Sequence, residues 1–291
     1  MKKSITFIIN PISGGIKKDM LPALIGKYID KNIFDIEIVF TRSAEHNVEL
    51  AQKAVEQKKD IVVAVGGDGT INHIAKFVTG TQSTMAIVPV GSGNGLARHL
   101  GLSLNHERSL KIINQLKTIS VDTGKANDAF FINVAGVGFD AHVSHMFATA
   151  PKRGLISYAK ITLAEFARYK SRSYELIIDG NKVNENAFLV CVANGSQYGN
   201  NAFIAPGADL TDGVFEVSVL KPFLKRHVPF IGLEMFTKKF GNSAYVKTYR
   251  GKHIVINRPF AEVVNIDGEP VMLEKDLDIQ INPASLKVIV P

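Results

Sequence analysis

The sequence has few of the residues that build covalent or metal-bound frameworks. It contains one cysteine and no tryptophan in 291 residues. A disulfide framework or a cysteine metal site is therefore excluded, and Cys191, within an apolar run, is predicted to fill the core. No apolar stretch approaches the ~18 residues that span a bilayer, and the N-terminus lacks the pattern of a signal peptide. These absences predict a cytoplasmic protein, with any membrane contact peripheral and at the inner face.

Positive charge is in modest excess. The formal net charge is +7 and the pI about 9.3, which favours phosphate ligands, an anionic membrane surface or nucleic acid. The sequence has no basic run interleaved with aromatic residues, so no nucleic-acid partner is expected. Hydrophobic residues make up 46% of the chain, enough for two domains or one large one.

The segment 60–73 organises the first half of the chain. Residues 61–65 form an unbroken β-branched apolar run, which predicts a strand buried on both faces. Three glycines and Asp68 follow, and from Thr70 the apolar residues recur at helical spacing. The N–H groups that begin such a helix suit a phosphate. A carboxylate among them repels phosphate unless a metal or a hydroxyl proton intervenes, so Asp68 indicates nucleotide, metal and phosphoryl transfer.

Strands and helices alternate throughout 1–122. The predicted strands are 4–9, 36–41, 61–65 and 85–90. Alternation predicts βαβ units and a doubly wound, parallel, Rossmann-like sheet. Loops after parallel strands share one edge of the sheet, so 10–15, 66–70 and 91–95 should converge on one site. Each loop alone also fits an ordinary βα turn, and none matches the Walker or dinucleotide pattern.

The pattern changes after Asp122. The predicted strands are 130–137, 174–178, 187–193, 214–220, 253–257, 261–266 and 277–281. Turn dipeptides separate many of them: Asp179-Gly180, Asp212-Gly213 and Asp267-Gly268. Helices are predicted at 155–169 and at 223–240. The sequence thus predicts an α/β domain, 1–122, and a second, mainly antiparallel β domain, 123–291.

Seven motifs keep a fixed order along nearly the whole chain. They lie at 10–15 (Asn-Pro-Ile-Ser-Gly-Gly), 66–72 (Gly-Gly-Asp-Gly-Thr-Ile-Asn), 89–98, 121–127, 133–141, 211–213 and 267–269 (Asp-Gly-Glu). Together they resemble the diacylglycerol kinase catalytic-domain family, which includes bacterial lipid kinases, sphingosine kinases and ceramide kinases. The resemblance implies ATP as phosphate donor, Mg²⁺ and a lipid hydroxyl as acceptor. It also implies a nucleotide-binding first domain, a lipid-substrate second domain and a nucleotide site in the cleft between them.

The resemblance extends to individual nucleotide-binding residues. Those implied are Asn10, Pro11, Ser13, Gly14, Thr41, Gly66, Gly67, Asp68, Gly69, Thr70, Asn72, Ser92, Gly93 and Asn94. Thr41 equally reads as the end of a strand.

The resemblance also implies catalytic and metal-binding residues. Glu269 takes the place of the acid proposed to receive the lipid hydroxyl proton, and Asp68 is the second catalytic acid; the two roles are exchangeable. Asp212 matches an acid that helps to hold a structural Mg²⁺, with backbone carbonyls near Asp209 and Val214 completing the site. The dipeptides that begin at Asp212 and precede Glu269 read equally well as hairpin turns.

The acceptor lipid is less closely defined. Bacterial diacylglycerol kinases usually carry Gly-Thr-Gly-Asn-Asp in the third loop, whereas 91–95 reads Gly-Ser-Gly-Asn-Gly, as in sphingosine and ceramide kinases. Against a sphingoid amine, His142, Ser144 and His145 stand where sphingosine kinases carry acids, although Asp140 is available. Diacylglycerol, giving phosphatidic acid, is therefore the predicted acceptor, and a sphingoid base or ceramide is the alternative.

Two other classes of protein compete with a lipid kinase. NAD kinases and phosphofructokinases share the Gly-Gly-Asp-Gly turn, but the motifs at 10–15 and 267–269 argue against these small-molecule kinases. A catalytically silent lipid-binding module is the third reading, and the presence of Asp68, Glu269 and all three loops argues against it.

Two segments combine apolar and basic side chains. One contains Met146, Phe147, Lys152 and Arg153, and the other is Phe-Leu-Lys-Arg at 223–226. This combination predicts peripheral docking of the second domain on anionic lipid, where the substrate lies. In the alternative, the aromatics are core and the cations solvated. A homodimer is also left open.

Overall fold

The computed structural model describes residues 2–13, 20–149, 155–166 and 168–291. The chain divides into two compact units: unit 1 is Met1–Val121 with Ala284–Pro291, and unit 2 is Asp122–Pro283. The sequence suggests a single cut after residue 122. The structure instead groups the last eight residues with unit 1, because the final strand pairs there.

The elements are named in chain order. The strands are β1 (Lys3–Ile9), β2 (Phe34–Phe40), β3 (Ile61–Gly66), β4 (Thr84–Pro89), β5 (Thr118–Ala126), β6 (Ala129–Phe131), β7 (Val134–Gly138), β8 (Arg172–Ile178), β9 (Asn181–Ala187), β10 (Leu189–Ala193), β11 (Phe215–Leu220), β12 (Val246–Gly251), β13 (His253–Asn257), β14 (Glu262–Ile266), β15 (Glu269–Leu273) and β16 (Asp276–Ile289). The helices are α1 (Met20–Tyr28), α2 (Ala44–Glu56), α3 (Asp68–Val78), α4 (Gly95–His99), α5 (His106–Ile113), α6 (Phe139–Ala148), α7 (Leu155–Phe166) and α8 (Val228–Phe236).

Unit 1 is built on a parallel sheet in the order β2-β1-β3-β4, and the end of β16 pairs with β4 in parallel. Every residue of β3 is buried, as its apolar run predicts. On one side of the sheet, Phe7 and Val63 pack with Leu21 and Ile25 of α1. This arrangement confirms the predicted α/β class and brings the carboxyl ends of β1, β3 and β4 to one edge of the sheet.

Unit 2 consists mainly of antiparallel strands. One sheet has the order β12-β11-β10-β7-β14-β15, and the other contains β16-β13-β8-β9, with β5 on β16 and β6 on β5. Val192 and Val217 from the first sheet share an apolar core with Leu176 and Ile256 from the second. Cys191 is buried, as predicted, and burial raises the pKa of its thiol.

Some predicted elements of unit 2 are wrong in extent. The run 130–137 is two strands, since the backbone N–H groups of Ile132 and Asn133 bond to a side chain instead of a neighbouring strand. The helix expected over 223–240 is only α8, and Phe240 is buried in the core although Phe230, on its predicted face, is exposed. Strands β9, β12 and β15 and helix α6 have no counterpart in the sequence prediction.

The predicted turn dipeptides behave in two ways. Asp179-Gly180 and Asp267-Gly268 are two-residue hairpin loops in which both residues have positive φ. Asp212-Gly213 lies in a turn before β11, but the preceding strand ends at Ala193, so the predicted hairpin is wrong.

Candidate active site

The second glycine loop joins β3 to α3 in unit 1. Gly66 ends the strand, Gly67 precedes the helix and Asp68 is its first residue. A Cβ on Gly66 would lie 2.4 Å from the Cβ of Thr70, so only glycine fits there. The loop therefore brings its backbone close to the first turn of α3, where N–H groups and the helix dipole favour an anion.

The third loop lies directly against the second. A Cβ on Gly91 would come within 2.5 Å of the Cα of Gly67, so the two backbones are in contact. Asn94 holds the third loop with its side chain, accepting from the N–H of Gly91 at 3.0 Å and donating to its carbonyl at 2.7 Å. Asn94 itself has a left-handed backbone, with φ of 54°.

Asp68 ties these two loops together. Its Oδ2 accepts from the N–H of Asn94 and its Oδ1 from the N–H of Gly95, both at 2.8 Å. Asp68 is thus part of the framework of the loops as well as a candidate catalytic acid.

The first loop meets the second through Asn10. The Nδ2 of Asn10 donates to the Oγ1 of Thr70 at 3.0 Å, and its Oδ1 accepts from the N–H of Ile12 at 3.0 Å. Ser13 lies in the same turn, where its N–H donates to the carbonyl of Asn10 at 3.3 Å. Residues from all three loops thus converge at this edge of the sheet. Gly14 lies outside the described residues.

The other residues predicted at the nucleotide lie at or beside this edge. Thr41 follows β2, is 4% exposed, and donates its N–H to the carbonyl of Ile9 at 2.9 Å. Gly69 and Asn72 belong to the beginning of α3. The Gly93 carbonyl, next to Ser92, accepts from the Nε of Arg98 at 3.1 Å.

Glu269, the predicted proton acceptor, is the first residue of β15 in unit 2. It is exposed at the end of the hairpin loop formed by Asp267 and Gly268. The Asp267 carboxylate holds that loop by accepting three backbone N–H groups, from Ile132 at 2.8 Å, Asn133 at 2.9 Å and Val134 at 2.8 Å. These bonds hold the backbone of the hairpin from which the Glu269 side chain projects.

A buried acid lies behind the same hairpin. Asp140 lies in the first turn of α6, and its Oδ2 accepts from the hydroxyl of Tyr198 at 2.9 Å and from the Nδ2 of Asn265 at 3.3 Å. Burial raises the pKa of Asp140 to about 7, against the lowering effect of these hydrogen bonds. The Oδ1 of Asn265 in turn accepts from the N–H of Gly268 at 2.9 Å. A short polar network thus links Asp140 to the turn before Glu269.

The residues predicted to hold a structural metal make other contacts. The Oδ1 of Asp209 accepts from the N–H and the hydroxyl of Thr211, at 2.9 and 2.8 Å. The Oδ1 of Asp212 accepts from the N–H of Val214 at 3.1 Å, and its Oδ2 forms an ion pair with Arg250. Among the described residues, no three histidine, cysteine or acidic side chains are grouped to hold a metal ion. As arranged, the Asp212 carboxylate fits a guanidinium, and Mg²⁺ at the same oxygen would have to displace Arg250.

Two family models match the chain in succession. The "Diacylglycerol kinase catalytic domain" model matches residues 4–126, and the "YegS C-terminal NAD kinase beta sandwich-like domain" model matches residues 133–290. The chain therefore belongs to the family that combines these two domains, and the second model alone covers more than half of its residues. The predicted resemblance is therefore confirmed, and membership makes the chain a kinase.

Individual relatives agree with this family. A "Probable lipid kinase YegS-like" protein of Chromohalobacter salexigens is 27% identical, over 78% of this chain and 75% of its own length. A "Diacylglycerol kinase" of Mycobacterium tuberculosis is 26% identical, over 99% of this chain and 95% of its own length. A crystal structure of a diacylglycerol kinase from Bacillus anthracis matches with a TM-score of 0.78 at 22% identity, covering 99% of this chain and 97% of that one. The structural match shows a shared fold.

In the region where a sphingoid amine would bind, His142 is paired with an acid, Glu165. The Nε2 of His142 lies 2.8 Å from the Oε2 of Glu165 on α7. Ser144 is buried and donates its hydroxyl to the carbonyl of Ala141 at 2.9 Å, so it faces the protein interior. His145 is exposed on α6.

Sequence reasoning did not find the residues that support this kinase's candidate acids. Asp267 reads in the sequence as a turn residue, and its three backbone hydrogen bonds appear only in the fold. Tyr198 and Asn265 contact Asp140 from 58 and 125 positions away, and neither belongs to a motif. The motif at 133–141, which contains Asp140, is the one signal that points to this network.

Proposed function

We propose that this kinase transfers the γ-phosphate of ATP to the hydroxyl of diacylglycerol and produces phosphatidic acid. The observation that carries the proposal is the contact of three loops around Asp68 at the beginning of α3. The relatives named diacylglycerol kinase support the choice of lipid.

The first-unit loops would hold the nucleotide. Glycine at positions 66, 67 and 91 lets the backbone approach a phosphate closely, and the N–H groups beginning α3 can donate to it. Asp68, oriented by Asn94 and Gly95, suits the positioning of a cation or of the γ-phosphate. Mg²⁺, when bound, would neutralise charge on the transferred phosphoryl group.

Glu269 is proposed as the acceptor of the lipid hydroxyl proton. Phosphoryl transfer is usually loose, so positioning and charge neutralisation contribute more than early removal of this proton. An exposed carboxylate on a well-anchored hairpin suits this late step, because it can reach a lipid hydroxyl while its backbone stays fixed. Asp68 is the alternative base, although two backbone N–H donors already orient its oxygens.

A sphingoid base or ceramide is the second candidate acceptor. The third loop favours it, since position 95 is a glycine whose N–H bonds to Asp68, where bacterial diacylglycerol kinases usually carry an acid. Glu165, paired with His142, also places a second acid, besides Asp140, in the region where sphingosine kinases carry acids.

The test is ATP turnover on a panel of acceptors. Water-soluble dioctanoylglycerol, sphingosine and ceramide would be offered in mixed micelles with labelled ATP and Mg²⁺, and NAD would be offered without lipid. We expect label in phosphatidic acid, and its absence in Glu269→Gln would exclude a contaminating kinase. Label mainly in sphingosine or ceramide phosphate would select the second candidate. Phosphorylation of NAD alone, or lipid binding without turnover, would overturn the proposal.

A further inference from the structure

Helix α8 in unit 2 exposes a continuous set of large apolar side chains. Phe230 is 66% exposed, Leu233 61% and Phe236 59%, at a spacing of three residues that puts them on neighbouring positions of the helix surface. Leu224, just before the helix, is 57% exposed. These four residues are called the outer face of α8.

The opposite side of α8 is already packed. Ile231 is 5% exposed and Met235 contacts the same core cluster, which anchors the helix to unit 2. Phe223 is also turned inward, with its ring 5.2 Å from that of Phe188, so the sequence expectation that it meets lipid is replaced by Leu224. A helix that is apolar on every side is normally covered on every side, and exposed apolar patches mark binding surfaces.

Cations lie at both ends of this face. Lys225 and Arg226 precede α8, and Lys238 and Lys239 follow it, all four exposed. The acid within the helix, Glu234, has its Oε2 buried away from solvent. An apolar centre between two positive ends is the pattern of a helix that lies in the interface of an anionic membrane.

The same charges argue against a second copy of this chain as the partner that covers the outer face of α8. If two outer faces packed on each other, lysine or arginine would face lysine or arginine in both the parallel and the antiparallel arrangement, because both ends of α8 are positive. In the described part of the chain, no helix has the length and apolar composition to cross a bilayer, so α8 would lie along the surface.

We propose that the outer face of α8 inserts into the headgroup boundary of a membrane that contains anionic lipid, with the flanking cations on the phosphates. This inference deepens the proposed function, since a kinase of diacylglycerol must reach a lipid that stays in the membrane. Its test uses lipid binding without ATP or diacylglycerol, so that docking and kinase activity can fail separately.

The absence of tryptophan gives a direct measurement of insertion. Phe230→Trp would carry the only tryptophan, and Phe260→Trp, at a site 54% exposed in the same unit, is the matched control. With vesicles of phosphatidylcholine and anionic phosphatidylglycerol, we expect the emission of Phe230→Trp to shift to the blue and to be quenched by brominated acyl chains. Quenching no stronger than that of Phe260→Trp would overturn the assignment to α8.

Substitutions separate the apolar and the basic contributions. Leu233→Ser should weaken sedimentation with anionic vesicles, while Leu104→Ser, at an exposed leucine of unit 1, should not. Lys225→Glu with Arg226→Glu should weaken it by roughly tenfold or more, against Lys2→Glu with Lys31→Glu, which changes the net charge equally. Equal binding by a variant and its control would overturn the inference.

Two further readouts identify the alternatives. Leu233→Ser should keep wild-type turnover on soluble dioctanoylglycerol but lose turnover on diacylglycerol in vesicles. A wild-type protein that binds vesicles but never phosphorylates lipid would overturn the proposed function and leave the docking proposal intact. Light scattering of the lipid-free protein tests whether a second copy of the chain covers this face instead. A wild-type dimer that Leu233→Ser converts to a monomer would replace the membrane with a second copy.

Discussion

The two candidate acids of this kinase are held in opposite ways. Asp68 is part of its own framework, because its two oxygens join the second loop to the backbone N–H groups of Asn94 and Gly95. Glu269 is exposed at the end of a hairpin that Asp267 and Asn265 hold from beneath. We therefore expect replacement of Asp68 to change both stability and turnover, and replacement of Glu269 to change turnover alone.

Replacing Asp68 is expected to have the largest combined effect. In Asp68→Asn, an amide nitrogen would face one of the two backbone N–H groups, so about 2 kcal/mol of stability should be lost with the charged hydrogen bond. Turnover should fall by at least ~10²-fold, with an altered dependence on Mg²⁺ concentration. Urea unfolding and turnover across a Mg²⁺ series measure both effects. A variant with wild-type stability would show that the loops hold together without this carboxylate.

Replacing Glu269 should affect turnover alone. We expect Glu269→Gln to lose turnover by ~10²- to 10⁴-fold, as for loss of a general base, while its affinity for Mg-ATP stays near wild type. Its stability should change by less than about 0.5 kcal/mol, since the residue is exposed. Glu274→Gln, at an exposed acid just beyond β15, is the matched control. Near-normal turnover in a folded Glu269→Gln protein would reject Glu269 as the base.

The buried acid behind the hairpin predicts a specific pH dependence. Because the pKa of Asp140 is raised from 3.8 to about 7, the folded state binds more protons, and stability should fall as pH rises from 4 to 7. The shift corresponds to a loss on the order of 4 kcal/mol. Asp140→Asn should flatten this part of the profile, measured by urea unfolding at a series of pH values. Parallel profiles for the two proteins would mean that Asp140 does not titrate in this range.

The size of the stabilisation by Mg²⁺ tests the metal site predicted at Asp212. A structural Mg²⁺ at about 100 times its dissociation constant would stabilise the protein by ~2.7 kcal/mol, and Asp212→Asn should remove most of this. A partly exposed ion pair with Arg250 contributes only about 0–1 kcal/mol, independent of Mg²⁺. Melting of both proteins in Mg²⁺ and in chelator separates the two cases. Equal responses would leave Asp212 with its guanidinium partner.

The contact between the two glycine loops predicts a loss of stability when either glycine gains a side chain. In Gly91→Ala the new methyl would meet the Cα of Gly67, so stability should fall by about 1–3 kcal/mol and the KM for ATP should rise. Gly26→Ala is the matched control, because a Cβ there meets nothing within 4 Å, and in a helix it should stabilise by about 0.4–1 kcal/mol. A Gly91→Ala protein as stable as wild type would show that the loops can separate without cost.

The sequence predicts unit 1 better than unit 2 for a physical reason. Strands such as β3 are buried on both faces, so their apolar runs are unbroken and their glycine loops follow at once. In unit 2, β9 and β12 have mostly exposed or half-exposed residues, and this polar pattern resembles a loop. Phe230 and Phe240 look equivalent in the sequence, yet the helix ends between them and only Phe240 enters the core.

The candidate site shows the same division. The three loops of unit 1 could be placed together because the ends of parallel strands must share an edge. The polar network around Asp140 could not, because it joins residues on α6, on β14 and in the loop after β10 through side chains alone. Such contacts depend on how the strands and helices of unit 2 pack together, and no local pattern in the sequence specifies that packing.

The route of β16 has a consequence for synthesis of the protein. Val288 near its end pairs with Met85, so β4 gains this second neighbour only after Val288 has been synthesised and has left the ribosome. Until then β4 is an open edge, with unpaired backbone groups along an apolar strand, which is the kind of surface that pairs with other chains. The nascent kinase should therefore be most prone to aggregate while unit 2 is being made, and most dependent on chaperones during that interval.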